Sequence, residues 1–171
     1  MTEFRIWHAS IDAYHTAFRL VQILTYANRS YSVGRLRILD MYRLYPPLLF
    51  RLRSTHSFRR ALTEAGIRKP EQHFVRLPSM ASVWQEIFPY QVAAVNHLVA
   101  TGVLNRSKLQ DGIASLDTDT IPNVLQDEIA KSLEKDAAIL EILVAKLAEF
   151  GDEGSDSLSV RAHLPKIGSL V

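Results

Sequence analysis

Apolar residues in the first part of the chain recur at three- and four-residue spacing, which is typical of helices that bury one face. This spacing predicts a first helix that is capped by Ser10 and runs to about Asn28. A second helix, capped by Ser32, is predicted from Val33 to about Tyr45, and arginines interleave with its apolar positions. Together these patterns predict a mainly α fold.

Proline and glycine divide the next segment into short pieces. Pro46-Pro47 ends the second helix, because the residue before a proline is pushed out of helical geometry. A third helix is predicted at Leu48–Leu52, and a fourth at about Ser57–Ala65 that Gly66 ends. We expect residues 67–78 to form a connector or a single strand.

A helix and a hairpin are predicted in the middle of the chain. The helix covers residues 79–102 and is restarted at Pro89. Residues 102–109 are predicted as a strand, Asp111-Gly112 as a two-residue turn and residues 113–116 as the returning strand. A helix followed by such a hairpin resembles a winged-helix domain.

The longest helical pattern is predicted from Asp119 or Thr120 to about Phe150, with a second apolar face near its end. A helix with two apolar faces is buried on both sides or meets a partner. The fold prediction is a single helical, winged-helix-like domain over residues 1–150. Residues 151–171 are predicted to be a flexible linker followed by an apolar docking tail. The predicted partner-binding residues are Ile139, Ile142, Leu143, Leu147, Phe150, Leu158, Leu164 and Ile167.

Composition narrows the range of functions. The 171 residues include no cysteine, which excludes disulfides, thiolate nucleophiles and thiolate metal sites. The N-terminal residues lack the apolar run of a signal peptide, and no stretch approaches the roughly 18 apolar residues that a membrane span needs. We therefore expect a cytoplasmic protein that does not enter a membrane.

The net charge of +2 hides an uneven distribution. Residues 1–80 hold 13 Lys and Arg against 5 Asp and Glu, whereas residues 81–171 hold 7 against 13. Twelve of the 13 are arginine, which suits two-point contacts to phosphate or carboxylate. Either the basic half meets an acidic partner, or the acidic half of the same chain neutralises it. The arginines predicted to contact nucleic acid or an acidic partner are Arg35, Arg37, Arg51, Arg53, Arg59 and Arg60.

Familiar catalytic motifs are missing from the sequence. There is no Gly-x-Ser-x-Gly and no phosphate-binding Gly-x-x-x-x-Gly-Lys, and the seven glycines are spread out. His8, Asp12 and His15 have the spacing of a metal site on a continuous helix, although His8 precedes the predicted cap. Ordinary surface or partly buried histidines are the simpler interpretation. We therefore predict no catalytic residue, no metal site and no cofactor.

Three stretches of the sequence resemble one protein family. They are Ile11–His15 (IDAYH), Leu39–Pro46 (LDMYRLYP), and Pro89-Tyr90-Gln91 with the apolar run from Ala93 to Leu104. Over roughly residues 10–150 the chain resembles the small middle component of bacterial ABC-three-component systems, a group that includes the Lamassu anti-phage systems. The resemblance implies a non-enzymatic subunit beside an SMC-like ABC ATPase and a separate effector, commonly a nuclease. It implies no functional residues, because its motifs are short and mostly apolar.

Two alternatives remain open from the sequence. The first is a stand-alone winged-helix regulator that binds DNA through its arginine-rich half. Its recognition helix would be Gln91–Thr101, which has no Lys or Arg for phosphate or guanine contacts. The second is a metal-dependent hydrolase with its metal at His8, Asp12 and His15.

Overall fold

The computed structural model describes residues 12–72 and 77–164. In it, the N-terminal helix α1 (Ala13–Ala27) lies against three other helices. Its cap is Asp12, whose carboxylate accepts hydrogen bonds from the backbone amides of Tyr14 at 2.8 Å and His15 at 3.1 Å. The helix therefore begins at Ala13. The predicted cap, Ser10, lies outside the described residues. The helix ends where predicted, at Asn28, which adopts a left-handed conformation.

The second predicted helix is confirmed as α2 (Val33–Leu44), and the Ser32 hydroxyl caps it by accepting from the Arg35 amide at 3.2 Å. A 3-10 helix (Pro46–Arg51) takes the place of the predicted third helix. Helix α3 (His56–Glu64) agrees with the predicted fourth helix to one residue. A further 3-10 turn (Pro70–Gln72) lies in the predicted connector.

Helix α4 (Met80–Ala100) runs without a break through Pro89, so the predicted restart is wrong. Proline removes one backbone donor inside a helix, at a cost of several kcal/mol when nothing compensates. Here α4 buries Trp84 and Ile87 before Pro89 and Gln91 after it, although Phe88 and Pro89 themselves are exposed. Packing of this face outweighs the lost hydrogen bond.

The predicted winged-helix hairpin is not confirmed, because the second half of its first strand is helical. Residues 106–110 form helix α5 (Arg106–Gln110), which the Asn105 side chain caps by accepting from the Lys108 amide at 3.1 Å. Asparagine is a favoured N-cap residue, and Asn105 lies within the predicted strand, residues 102–109. The sequence therefore contained a local signal for this helix.

The returning strand forms, but it pairs with a different partner. Strand β2 (Ile113–Ala114) lies antiparallel to β1 (Tyr31–Ser32), with Tyr31 opposite Ala114. In the described part of the chain, a single antiparallel bridge between Leu104 and Leu116 is the only strand pairing between the two predicted strands. The small sheet therefore connects the start of α2 to the segment after α4. The described fold is mainly α, as predicted.

The last predicted helix is interrupted. It consists of α6 (Asn123–Lys135), α7 (Ala137–Glu141), a π-helical turn (Ile142–Lys146) and a final 3-10 turn (Leu147–Glu149). The first break is at Asp136, whose carboxylate accepts from Gln22 at 2.9 Å and from Arg43 at 2.5 Å. These bonds hold the break against α1 and α2. A 3-10 turn (Thr118–Thr120) precedes α6, and helix α8 (Leu158–Arg161) follows the final turn.

A polar cluster within the core joins α1, α2 and α4. The Asp40 carboxylate is fully buried and accepts from the Arg19 Nε at 2.6 Å and from the Gln91 amide at 2.8 Å. Gln91 in turn accepts from the Arg37 Nε at 2.9 Å. Buried charges persist in proteins when they are paired and hydrogen-bonded, as these are.

Candidate functional site

The predicted partner-binding residues lie mostly inside the chain's own core. Ile139 is half-buried, and Ile167 lies outside the described residues. The other six are buried: Ile142, Leu143, Leu147, Phe150, Leu158 and Leu164. Their apolar character is therefore accounted for by contacts within this chain, and their role in binding a partner stays a prediction.

The predicted docking tail turns back onto the chain over its described residues. Leu158 and Ala162 are almost completely buried, and the Arg53 amide donates to the Arg161 carbonyl at 3.2 Å. Asp156 accepts from Arg53 at 2.8 Å and also accepts from Arg161. These hydrogen bonds, that from Arg161 above all, lower the pKa of Asp156.

Of the six predicted arginines, the two on α2 are interior residues. The Arg35 guanidinium donates to the carbonyl of Leu147 at 2.5 Å, to the carbonyl of Phe150 at 2.8 Å and to the Asp152 carboxylate at 2.5 Å. It thus satisfies carbonyls at the end of the last helical stretch, where helices leave acceptors unpaired. Arg35 is 7% exposed, so it offers little to an external anion.

Arg37 is also buried, beside aromatic rings. Its guanidinium carbon lies 4.1 Å from the centre of the Trp84 ring and 4.7 Å from that of Phe88. Burial lowers the pKa of Arg37 to about 10, although the nearby charge of Asp40 acts in the opposite direction. The side chain is therefore protonated at neutral pH and held by cation–π contacts.

The other four predicted arginines are exposed and surround α3. Arg51 donates to the carbonyl of Pro78 at 2.8 Å, which leaves its charge unneutralised. Arg53 pairs with Asp156. Arg59 and Arg60 lie next to each other on α3, and the Arg60 side chain, 75% exposed, pairs with Glu64 at 2.8 Å. The structure thus separates the six arginines into two interior and four exposed residues.

A groove of about 550 Å³ beside α3 gathers basic side chains from separate segments. We call it the α3 groove. Its lining residues are Phe50, His56, Arg59, Arg60, Thr63, Lys69 and Glu71.

Helix α3 orients one wall of the α3 groove. The Thr55 hydroxyl caps the helix by accepting from the Phe58 amide at 3.3 Å. Phe58 and Leu62 are buried, and the Phe58 ring lies edge-on to that of Phe150, with centres 6.0 Å apart. Anchoring of this face directs the opposite face toward the groove. That face carries His56, Arg59, Arg60 and Thr63.

Sequence reasoning singled out Arg59 and Arg60 but missed the other lining residues. The spacing of His56 and Thr63 relative to Arg59 and Arg60 places all four on one helix face, and this signal was available. Lys69 comes from the connector after α3, so no local spacing could have found it.

A second cavity, of about 320 Å³, is apolar. Helices α1 and α4 and the start of α6 form it, and its lining includes Phe18, Val21 and Leu125. At one edge the ring of Tyr14, 74% exposed, lies edge-on to His97 with centres 5.4 Å apart. This cavity has no acidic or basic lining residue apart from His97.

The alternative metal site involves His8, Asp12 and His15. His8 lies outside the described residues. The Asp12 carboxylate caps α1, and one of its oxygens lies 3.4 Å from the Nδ1 of His15. Across residues 12–72 and 77–164, no three His, Asp or Glu side chains are grouped so that they could hold a metal ion. Within the same ranges, no helix is long and apolar enough to cross a bilayer.

Comparison with known families identifies the class of this helical protein. A family model described as "ABC-three component (ABC-3C) system Middle Component 5" matches residues 5–167. The chain belongs to this family, since the match covers most of its length. No curated protein and no solved structure matches the chain. The chain is therefore a middle component of an ABC-three component system, as the resemblance in its sequence suggested.

Proposed function

We propose that this middle component is a non-catalytic bridging subunit in a cytoplasmic Lamassu-type defence system against phages or plasmids. In this proposal it joins an SMC-like ABC ATPase to an effector nuclease. The observation that carries the proposal is the family match over residues 5–167, because a middle component of a three-component system works with other components.

Two features of the chain are consistent with a bridging role. The buried pair of Arg19 with Asp40 and the half-buried pair of Arg43 with Asp136 fix the helices against one another, so the chain can present its surfaces at constant positions. In addition, charged and amide groups of different helices bind each other in the core, as Asp40 and Gln91 do. The chain's polar interior thus serves its own structure, and ATP hydrolysis and nuclease chemistry are assigned to the other two components.

Co-expression with the proteins encoded by the neighbouring genes tests the proposal. A tagged version of the chain should co-purify with an ABC ATPase and an effector, and the three should elute as one complex. A preparation without this chain should lose the association between the ATPase and the effector. If the ATPase and effector remain together without it, the bridging role is wrong.

A functional experiment tests the defence role separately. Cells that carry the whole system should survive phage infection or lose an introduced plasmid. Cells that lack only this chain should be killed by the phage or should keep the plasmid. Reintroduction of a Glu128→Ala chain, which alters one exposed ion pair on α6, serves as the matched control and should restore resistance. Full resistance without the chain would contradict the proposal.

A further inference from the structure

The segment around α3 carries more positive charge than its own acids neutralise. Residues 50–72 contain six Lys and Arg against Glu64 and Glu71, and all eight side chains are exposed. Arg59 and Arg68 have no carboxylate partner among the described residues. The opposite is true of α2, whose Arg35 and Arg43 each pair with an aspartate.

The α3 groove concentrates part of this charge on one concave surface. Arg59, Arg60 and Lys69 line it together with His56, whereas Glu71 is the one acidic lining residue. Its volume of about 550 Å³ falls in the range of ligand sites. Guanidinium groups donate two parallel hydrogen bonds to phosphate oxygens, which makes arginine well suited to phosphate contacts.

We infer that the α3 groove binds the phosphodiester backbone of DNA, without reading its sequence. Contact with phosphates requires exposed cations spread along a surface, and Arg51 and Arg68 extend the charge beyond the groove. Sequence reading would need side chains that reach base edges from an element in a DNA groove. The lining cations Arg59, Arg60 and Lys69 come from two separate segments, which suits contacts that are spread along a backbone.

An acidic protein partner fits the same surface less well. The centre of a protein interface is enriched in aromatic and other apolar residues. The large apolar residues that are strongly exposed in the described ranges are Tyr14, Phe88, Val124 and Val160. None of them lies in residues 50–72, where Phe50 is half-buried in the groove.

Fluorescence anisotropy with the purified full-length chain tests the inference. The probes are a labelled 20-base-pair DNA duplex of mixed sequence and a single strand of the same length. Binding is expected at about 50 mM salt and should weaken steeply by about 200 mM, because binding to phosphates releases counterions. A preference for one probe identifies the form of DNA whose backbone the groove accepts.

A charge-matched pair of variants locates the binding surface. The double variant Arg59→Ala/Lys69→Ala should weaken binding about tenfold at low salt. It should also reduce the slope of log affinity against log salt by about two, one for each phosphate that is left without a cation. The control Arg106→Ala/Lys135→Ala removes the same charge from exposed residues on α5 and α6, and should leave affinity nearly unchanged. Equal melting temperatures confirm that all variants fold.

Three results would overturn the inference. The first is the absence of binding to either probe at low salt. The second is an equal loss of affinity in the groove and control variants, which would make the effect one of overall charge. The third is a groove variant that binds both probes as tightly as the unmodified chain. The inference does not depend on the bridging role, because DNA binding by the isolated chain and assembly of the complex are measured separately.

Discussion

Two groups of arginines in the same basic half of the chain have opposite environments. The interior arginines, on α1 and α2, are Arg19, Arg35, Arg37 and Arg43. The exposed arginines, around α3, are Arg51, Arg53, Arg59, Arg60 and Arg68. Each interior guanidinium meets a carboxylate, a carbonyl, an amide or an aromatic ring that another element supplies. The exposed arginines meet few acids and keep most of their charge available to solvent.

The difference answers a question that the sequence left open. Arg35 pairs with Asp152 and Arg43 with Asp136, so part of the basic half is neutralised by the acidic half of the same chain. Arg53 pairs with Asp156 in the same way, although both side chains are largely exposed. The charge that remains is concentrated around α3. Arginine content alone therefore does not locate a binding surface, since only exposed and unneutralised guanidinium groups can meet a ligand.

The strongest test of the comparison removes the carboxylate of an interior pair. Asp40→Ala removes the carboxylate that pairs with the buried Arg19 and one of the two acceptors of the Gln91 side-chain amide. The variant should cost about 3–5 kcal/mol in the free energy of unfolding. Urea titration followed by circular dichroism measures the change. If the variant does not fold, Arg19→Met/Asp40→Leu should recover most of the stability, because apolar residues can replace a buried pair. A loss below about 1 kcal/mol would contradict the distinction between the two groups.

A smaller loss is expected at the end of the last helical stretch. Arg35→Met removes hydrogen bonds to the carbonyls of Leu147 and Phe150 and should cost about 2–3 kcal/mol. Arg35→Lys keeps the charge, but lysine lacks the planar guanidinium group that donates to both carbonyls. Its loss of stability should therefore lie between zero and that of Arg35→Met. Thermal unfolding measures the change in stability, and hydrogen exchange of the backbone amides after residue 147 measures how firmly this end is held. Equal stability of all three proteins would show that Arg35 does not hold this end.

A gain in stability is expected where an interior polar group has no partner. The Tyr42 hydroxyl is fully buried without a hydrogen bond in the described structure, and burial raises the pKa of this phenol well above its usual value. Tyr42→Phe should therefore stabilise the protein by about 1 kcal/mol. Tyr31→Phe is the matched control, since its hydroxyl accepts from Arg29 at 3.1 Å, and it should be slightly destabilising. Destabilisation by Tyr42→Phe in chemical denaturation would contradict this account.

The smallest effect is expected for an exposed ion pair. Glu64→Ala removes the partner of Arg60, and both side chains are more than half exposed. Stability should change by less than about 0.5 kcal/mol, because solvent screens such pairs. The same variant should strengthen duplex binding at low salt, since it leaves Arg60 unneutralised beside the α3 groove. A stability loss as large as that of Asp40→Ala would remove the distinction between interior and exposed pairs.

Most helices were predictable because their signals are local. Ser32 caps α2 and Gly66 follows α3, as the residue types predict. The two errors have different causes. Pro89 lies inside an unbroken α4 because packing of the buried face, which includes Trp84, Ile87 and Gln91, outweighs the local signal of the proline. The second half of the strand predicted over residues 102–109 is helical, and the local cap signal that marks this helix, Asn105, was missed.

The candidate site was predictable only in part. Arg59 and Arg60 were identified from the sequence, and their helix face could have added His56 and Thr63. Lys69 joins the groove only because the connector folds back against α3. Arg35 and Arg37 are buried, and their predicted contact with nucleic acid or an acidic partner stays a prediction. A sequence does not distinguish an arginine that faces solvent from one that is buried against distant carbonyls.

The sequence by itself determined the mainly α fold, the positions of most helices, the lack of familiar catalytic motifs and the resemblance to the family to which the chain belongs. Those properties depend on local spacing and residue type, which are fixed along the chain. The tertiary structure alone decided which arginines are neutralised, where the last helix breaks and which residues line the α3 groove. These properties depend on contacts between residues far apart in sequence, such as Arg43 with Asp136. Burial of a charge depends on what packs against it, and no pattern along the chain specifies that.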